Sequence, residues 1–446
     1  MKPKVHSFDV VVSGGGPSGV AAAISASRAG AKVALVEATG CLGGMATNGL
    51  VPVFNPFSNG RYAVVRGIGW EVVRKLRARG SGLLKPDPLP NEMPAYDWTG
   101  LDAEKLKTLL DDMVAEAAVA SRYFTQVTEP VVRSGRIISV RTWSKSGPEE
   151  WKARTFVDCT GDADVAARAG CPCEKGDARG LLQPSTVCFV IAGLSPAAGR
   201  KIRHKPGFEP ILKAATQAGK LRNKLDHHYC ISAVHPNDIA VGCNYKHQYD
   251  TDGVDAASLT RAIIEGRQTA HELCDFLRRN IPGCQHAFVS STASLVGVRE
   301  TRRIVGEYCM DLEHFRQCRK SSDDIASYAN EVDVHVVGRT KAEIARRKAP
   351  GIDARLAYGQ QYGIPYGALI PKKVSNLLVA GRAISCDRMM QGSVRPMPAC
   401  FATGEAAGLA AALSLSLGGE VRRVDGRKLQ ARLVKQGAFI DVPKKK

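Results

Sequence analysis

The chain has 446 residues, 44% hydrophobic and 24% charged, proportions ordinary for a globular protein and long enough for two domains. They exclude a disordered, fibrous or disulfide-stapled chain, and no apolar run reads as a transmembrane span. Lys and Arg number 62 against 43 acids, a net charge of +19 spread along the whole chain, which reads first as a solvated surface and second as a footprint for a polyanion.

The first segment to carry chemistry is Asp9 to Glu37. Val10, Val11 and Val12 are β-branched and continuous, as a buried parallel strand requires. Gly14, Gly16 and Gly19 then spell G-x-G-x-x-G. The first glycine permits a tight turn, the second lets a pyrophosphate approach the backbone, and the third lets the following helix lie close on the sheet. That helix begins near Pro17-Ser18, runs through small residues and ends at Gly30. A second apolar strand, Val33 to Val36, leads to Glu37, where a carboxylate can accept bonds from an adenosine ribose. The motif between two strands with an acid at this distance specifies a dinucleotide far better than the glycines alone. The first apolar run is thus a strand of the fold and not a signal peptide.

A glycine-rich loop, residues 40–49, follows and suggests backbone passing close to a ligand. Residues 55–100 read as an irregular excursion with one helix near Gly69 to Arg79. Asp102 to Ala118 has the spacing of an amphipathic helix. Strands near Val131–Trp143 and Trp151–Val157 read as a hairpin closed at Ser146-Gly147-Pro148. Then comes Thr155-Phe156-Val157-Asp158-Cys159-Thr160-Gly161-Asp162-Ala163-Asp164, an apolar strand ending in a Thr-Gly turn with two acids. Residues 185–340 alternate strand-like and helix-like patterns, with a long helix at Leu259–Asn280. Asn376 to Arg382 is another buried strand ending in Gly, and Ala399 to Leu415 is a second small-residue helix. The fold class is α/β.

These segments resemble, in order along most of the chain, FAD-dependent oxidoreductases of the glutathione reductase type, and more closely a family related to the fumarate reductase and succinate dehydrogenase flavoproteins. The N-terminal fingerprint carries the resemblance together with Gly43-Gly44-Met45-Ala46-Thr47, Asp158 to Asp164, Gln183-Pro184-Ser185-Thr186, Gly297 to Arg303, Ile364-Pro365-Tyr366 and Asn376 to Gly408. The resemblance implies a Rossmann-like FAD-binding domain split in sequence, residues 1–184 and 346–446, with an inserted α+β substrate lobe at 185–345. It also implies FAD as the cofactor. Gly14, Gly16 and Gly19 would hold the pyrophosphate, Glu37 the ribose, and Gly43, Gly44, Met45 and Ala46 the flavin side. Thr160 and Gly161 fall at the second nucleotide contact. Gly381, Arg382 and the helix from Gly404 would cover the ribityl chain and pyrimidine edge, where a helix dipole stabilises the charge of reduced flavin. NAD would satisfy the fingerprint but leaves the C-terminal strand-Gly-Arg-helix element unexplained.

The flavin carries the redox step, so the protein must supply position, charge and proton transfer. Arg299, Arg302 and Arg303 lie within five positions and could grip a carboxylate, or could pair with Glu300, Glu307 and other acids. His335, in Asp333-Val334-His335, could move a proton at neutral pH, or be a satisfied structural histidine. Arg388 and Arg395 flank the approach to the last small-residue helix, and the resemblance favours Arg395 near the flavin. The expected reaction is hydride transfer between flavin and a small anionic substrate, with Arg299, His335 and Arg395 as catalytic candidates. The electron acceptor or donor is open, as is self-association. The rivals are a flavoenzyme acting on tRNA or another polyanion, and a non-catalytic flavin-holding subunit. Thirteen scattered cysteines point to a reducing compartment, the cytoplasm. Cys171-Pro172-Cys173 lacks redox or zinc spacing, and His227, His228, Cys230 and His235 lack a completing pair, so no metal is expected. Cys41 in the glycine-rich loop could attach FAD covalently, though a small loop residue is the simpler reading.

Overall fold

The computed structural model describes residues 3–81, 99–222, 229–235, 237–335 and 354–441. Its centre is a five-stranded, all-parallel sheet in the order Leu377–Val379, Thr155–Asp158, Val10–Ser13, Val33–Val36, Ala120–Arg122. Every strand but the edge strand Ala120–Arg122 is buried along its whole length, hence their apolar runs. The helix Pro17–Arg28 lies against the helix Met397–Ser414 on one side of this sheet. A Cβ on Gly404 would stand 2.1 Å from the Ser18 carbonyl oxygen, and one on Gly408 2.0 Å from that of Ala22. Small residues on both helices are therefore a packing requirement.

By length and composition Met397–Leu417 is apolar enough to cross a membrane, contrary to the expectation that no run would be. Two-thirds of it is inside the protein, where an apolar helix with no polar face belongs.

One buried acid in this helix bears on stability. Glu405 accepts the Ile68 N–H at 2.9 Å, in the first turn of the helix Gly67–Ala78. Burial pushes its carboxyl up to about 7, against the opposing pull of that hydrogen bond and of Arg28. The folded state therefore holds a proton that the unfolded state releases above about 4.5, so this group's contribution is full at low pH and is lost as pH rises towards 7. The span corresponds to about 3 kcal/mol. Glu405→Gln keeps the acceptor and removes the charge. Its melting temperature is expected to exceed the parent's by more at pH 8 than at pH 5, and an equal offset at both values would show that Glu405 is not the group responsible.

An outer sheet packs beside the central one, in the order Lys4–Ser7, Gly147–Lys152, Arg136–Ser144, Gln126–Arg133. Here the expected strand Trp151–Val157 proves to be two. Gly147–Lys152 closes the hairpin with Arg136–Ser144, while Thr155–Asp158 belongs to the central sheet. The chain crosses between sheets at Ala153-Arg154, where the Arg154 and Thr155 amides both reach the Asp9 carbonyl. Trp151 is buried by stacking on His6, with ring centroids 4.1 Å apart.

A third, antiparallel sheet has the order Tyr229–Ala233, Ala240–Tyr245, Phe189–Ala192, Phe288–Thr292. With the helices Pro196–Arg203, Lys205–Gln217 and Ala256–Asn280 it encloses its own apolar core, built on Phe189, Phe208, Tyr245, Leu273 and Leu277. That core draws on residues 189–289, a narrower span than the 185–345 read from the sequence. Met310, Phe315, Ile325 and Tyr328 pack in the central core instead, and the boundary at 345/346 lies outside the described residues.

Candidate active site

One cavity of about 1210 Å³ runs from the carboxyl ends of the central strands to the face of the antiparallel sheet. Its nucleotide end is built at the turn after Val10–Ser13. Gly14 has φ +95° and a Cβ there would lie 2.5 Å from the Cys159 carbonyl oxygen. Gly16, the N-cap of Pro17–Arg28, has nothing within 4 Å of where a Cβ would stand, so bare backbone meets the cavity at a helix N-terminus with no side-chain cap. Gly19 does not reach the cavity; its Cβ would fall 1.7 Å from the Gly14 carbonyl oxygen, so it sets helix against turn.

Glu37 lines the cavity and also ties down the turn. Its Oε2 accepts the Gly15 N–H at 2.6 Å and its Oε1 accepts the Thr39 N–H and hydroxyl at 2.8 and 2.7 Å. That leaves about one of a carboxylate's four acceptor positions for a ribose.

Gly44, Met45, Thr160, Gly161 and Arg382 also line the cavity, whereas Gly43, Ala46, Gly381 and Gly404 stand behind its wall. Arg382 is a stitch more than a free cation. It donates to the Gly161 carbonyl at 2.8 Å, the Val298 carbonyl at 2.6 Å and Asp162 at 2.5 Å. The second small-residue helix meets the cavity through Pro396, Met397 and Cys400, its actual start, because Gly404 is spent on Ser18. That N-terminus also lacks a side-chain cap.

At the other end the three arginines separate. Arg302 donates to the Asp162 carbonyl and to Asp164, and Arg303 to the Cys386 carbonyl and to Glu300. Glu300 is fully buried and also takes Arg388, while Glu307 pairs with Arg422. Only Arg299 of the cluster lines the cavity, held by bonds of 2.9 Å to the Pro184 carbonyl and the Thr186 hydroxyl.

His335 and Arg395 line the same cavity, with Asp333 between them. Burial, then the charge of Arg299, pushes the His335 imidazole down to about 3, so the ring is neutral at physiological pH. Burial acts to raise the Asp333 carboxyl, but His335, Arg395 and Arg299 outweigh it and hold the group ionised well below the usual carboxylate range. The Asp333 side chain is 46% exposed because it faces the cavity.

The antiparallel sheet contributes a wall that no motif announces. Cys230 is in register with Asn244, and Cys188 precedes Phe189, the partner of Cys243. Strand alternation puts Cys188, Asn244 and Cys230 in one row on the cavity, while Phe189 and Cys243 face the lobe's core. Cys41 does not line the cavity, and all thirteen cysteines are free. His227 and His228 lie outside the described residues, and among the described residues no group of three His, Cys, Asp or Glu could hold a metal.

The donor set suits a dinucleotide: two uncapped helix N-termini, bare glycine backbone and an acid beside the first turn. The volume exceeds the roughly 300–1,000 Å³ of a pocket for one drug-sized ligand. Comparison with known proteins agrees. The family model described as FAD dependent oxidoreductase matches residues 9–433. The chain belongs to the FAD-dependent oxidoreductase family. It is therefore an enzyme and its cofactor is FAD, which sets aside the reading of a non-catalytic subunit.

The putrescine oxidase of Kocuria rosea is 30% identical to this FAD-dependent oxidoreductase over 156 residues, 32% of each chain, so the chain spans about a third of the curated relative it matches. Among solved structures, a geranylgeranyl bacteriochlorophyll reductase-like protein from Thermoplasma acidophilum is 10% identical with a TM-score of 0.45, over 98% of this chain and 85% of that one. The p-nitrophenol 4-monooxygenase of Pseudomonas putida is 11% identical with a TM-score of 0.46, over 97% and 84%. Likenesses of that size say nothing about the reaction.

Proposed function

We propose that this FAD-dependent oxidoreductase oxidises or reduces a small organic anion that Arg299 holds at the substrate end of the cavity. Bound FAD would accept or donate the hydride. The observation that carries the reading is Arg299 itself, a buried guanidinium on the wall of the cavity whose opposite end suits the nucleotide. A guanidinium binds a carboxylate through paired, charge-assisted bonds. The row Cys188–Asn244–Cys230 offers a narrow, weakly polar surface for the carbon body of the substrate. His335 takes up, in the oxidative direction, the proton that leaves substrate oxygen or nitrogen as the hydride leaves carbon; a neutral imidazole is the form able to accept it.

We further propose the split FAD domain of the glutathione reductase type, with the antiparallel lobe as the substrate domain and kinship to the fumarate reductase and succinate dehydrogenase flavoproteins. The central sheet's use of strands from both ends of the chain supports this. A cytoplasmic setting accords with thirteen free thiols.

The test is an anaerobic screen for flavin bleaching with small carboxylic acids and their primary amides. Bleaching by an acid and not by its amide is expected. Amides that bleach as readily as acids would sink the role of Arg299. With the active acid in hand, His335→Gln is expected to retain FAD and slow flavin reduction by about 10²–10⁴-fold, the usual worth of a general base.

A further inference from the structure

We propose that Asp333 is a positioning residue, clamped by Arg395, that fixes which ring nitrogen of His335 carries the proton. The use of that proton acceptor rests on the function proposed above; the tautomer does not. On one side, Arg395 Nη2 donates to Asp333 twice, to the carboxylate at 2.6 Å and to the main-chain carbonyl at 2.9 Å. On the other, His335 Nε2 stands 3.1 Å from Asp333 Oδ1.

An ionised carboxylate only accepts hydrogen bonds, so the nitrogen facing it must carry hydrogen. In a neutral ring that makes Nε2 the donor and Nδ1 the acceptor. Among the described residues, Arg299 and His247 also stand against the ring, the latter edge-on at 4.8 Å between centroids. Neither offers a carboxylate, and Asp333 is the carboxylate that stands against Nε2.

The main chain is held as well. The His335 N–H donates to Gln183 Oε1 at 3.0 Å, Gln183 Nε2 reaches Gln391 Oε1 at 3.2 Å, and Gln391 Nε2 donates to the Arg299 carbonyl at 2.8 Å. The candidate base and the candidate anion-binding arginine are thus fixed to one another through two buried amides. Arg395, which the sequence offers as a catalytic residue, gives Nη2 to Asp333 and in this proposal acts as a positioning residue too.

Nitrogen NMR of the FAD-loaded enzyme with isotope-labelled histidine tests this. The His335 signals are assigned by their loss in His335→Gln. In the wild type the Nε2–H neutral form is expected, persisting from neutral to mildly acidic pH. Asp333→Asn, whose side chain can donate or accept, is expected to shift the ring to a mixture of tautomers, while Asp333→Glu keeps Nε2–H dominant.

A wild-type ring protonated at Nδ1, or charged near neutral pH, overturns the proposal, and that spectrum decides even where a variant does not fold. An unchanged tautomer in FAD-loaded Asp333→Asn overturns it too. Normal flavin reduction by His335→Gln would instead remove the proton-transfer role and leave the tautomer result standing.

Discussion

Gly19→Ala is expected to yield a protein with little or no bound FAD and a lowered melting temperature. The added methyl would sit 1.7 Å from the Gly14 carbonyl oxygen, a separation that no rotamer relieves because both partners are backbone. Either the helix Pro17–Arg28 lifts from the turn or the turn moves into the cavity. Overpacking of a close-packed site costs about 1–3 kcal/mol in stability, and the displaced N–H groups lose the phosphate geometry as well.

Gly16→Ala separates the two effects. Its Cβ meets nothing in the protein, so the fold keeps its stability, but the methyl enters the space a pyrophosphate needs. The measurements are the flavin-to-protein absorbance ratio and the melting temperature of each variant with FAD removed. Full FAD content and an unchanged melting temperature in Gly19→Ala would mean that the turn is not built as described.

The contrast between those glycines shows what is legible in a sequence. The G-x-G-x-x-G unit could be read because strand, turn and helix are contiguous, and Gly19 answers to Gly14, five positions away. Gly404 could not be read correctly, since its partner is Ser18 in a distant helix, and the contact spends it on packing instead of the flavin.

The arginine cluster follows the same rule. The sequence of Gly297 to Arg303 does not say which arginine Glu300 takes or which one reaches the cavity. What sorts them is the rest of the fold: Asp162, Asp164, Glu300 and Cys386 engage Arg302 and Arg303, while Arg299 is held by Pro184 and Thr186 on the cavity wall. The break at Ala153-Arg154 carries no Gly or Pro to mark it, and the change of sheet shows only in which strands each side pairs with. The Cys188–Asn244–Cys230 row has no sequence signal whatever, being a product of register between three strands.

Arg299→Ala is expected to keep its FAD and lose its preference for anions. The side chain contacts the Pro184 carbonyl and the Thr186 hydroxyl, both at the substrate end, so the nucleotide end keeps its contacts. Loss of a charge-assisted hydrogen bond costs about 1.5–3 kcal/mol, or about 10- to 150-fold in binding of the acid that bleaches the flavin. Binding of the matching amide changes far less, so the discriminating quantity is the acid-to-amide ratio and not activity alone. Arg299→Lys restores the charge without the planar fork and is expected to recover part of that ratio. A stability loss of about 1 kcal/mol accompanies the alanine variant, since two buried acceptors lose their donor. A structural arginine would show that stability loss with the ratio intact. A substrate-binding arginine shows both, and the lysine variant then ranks between the two.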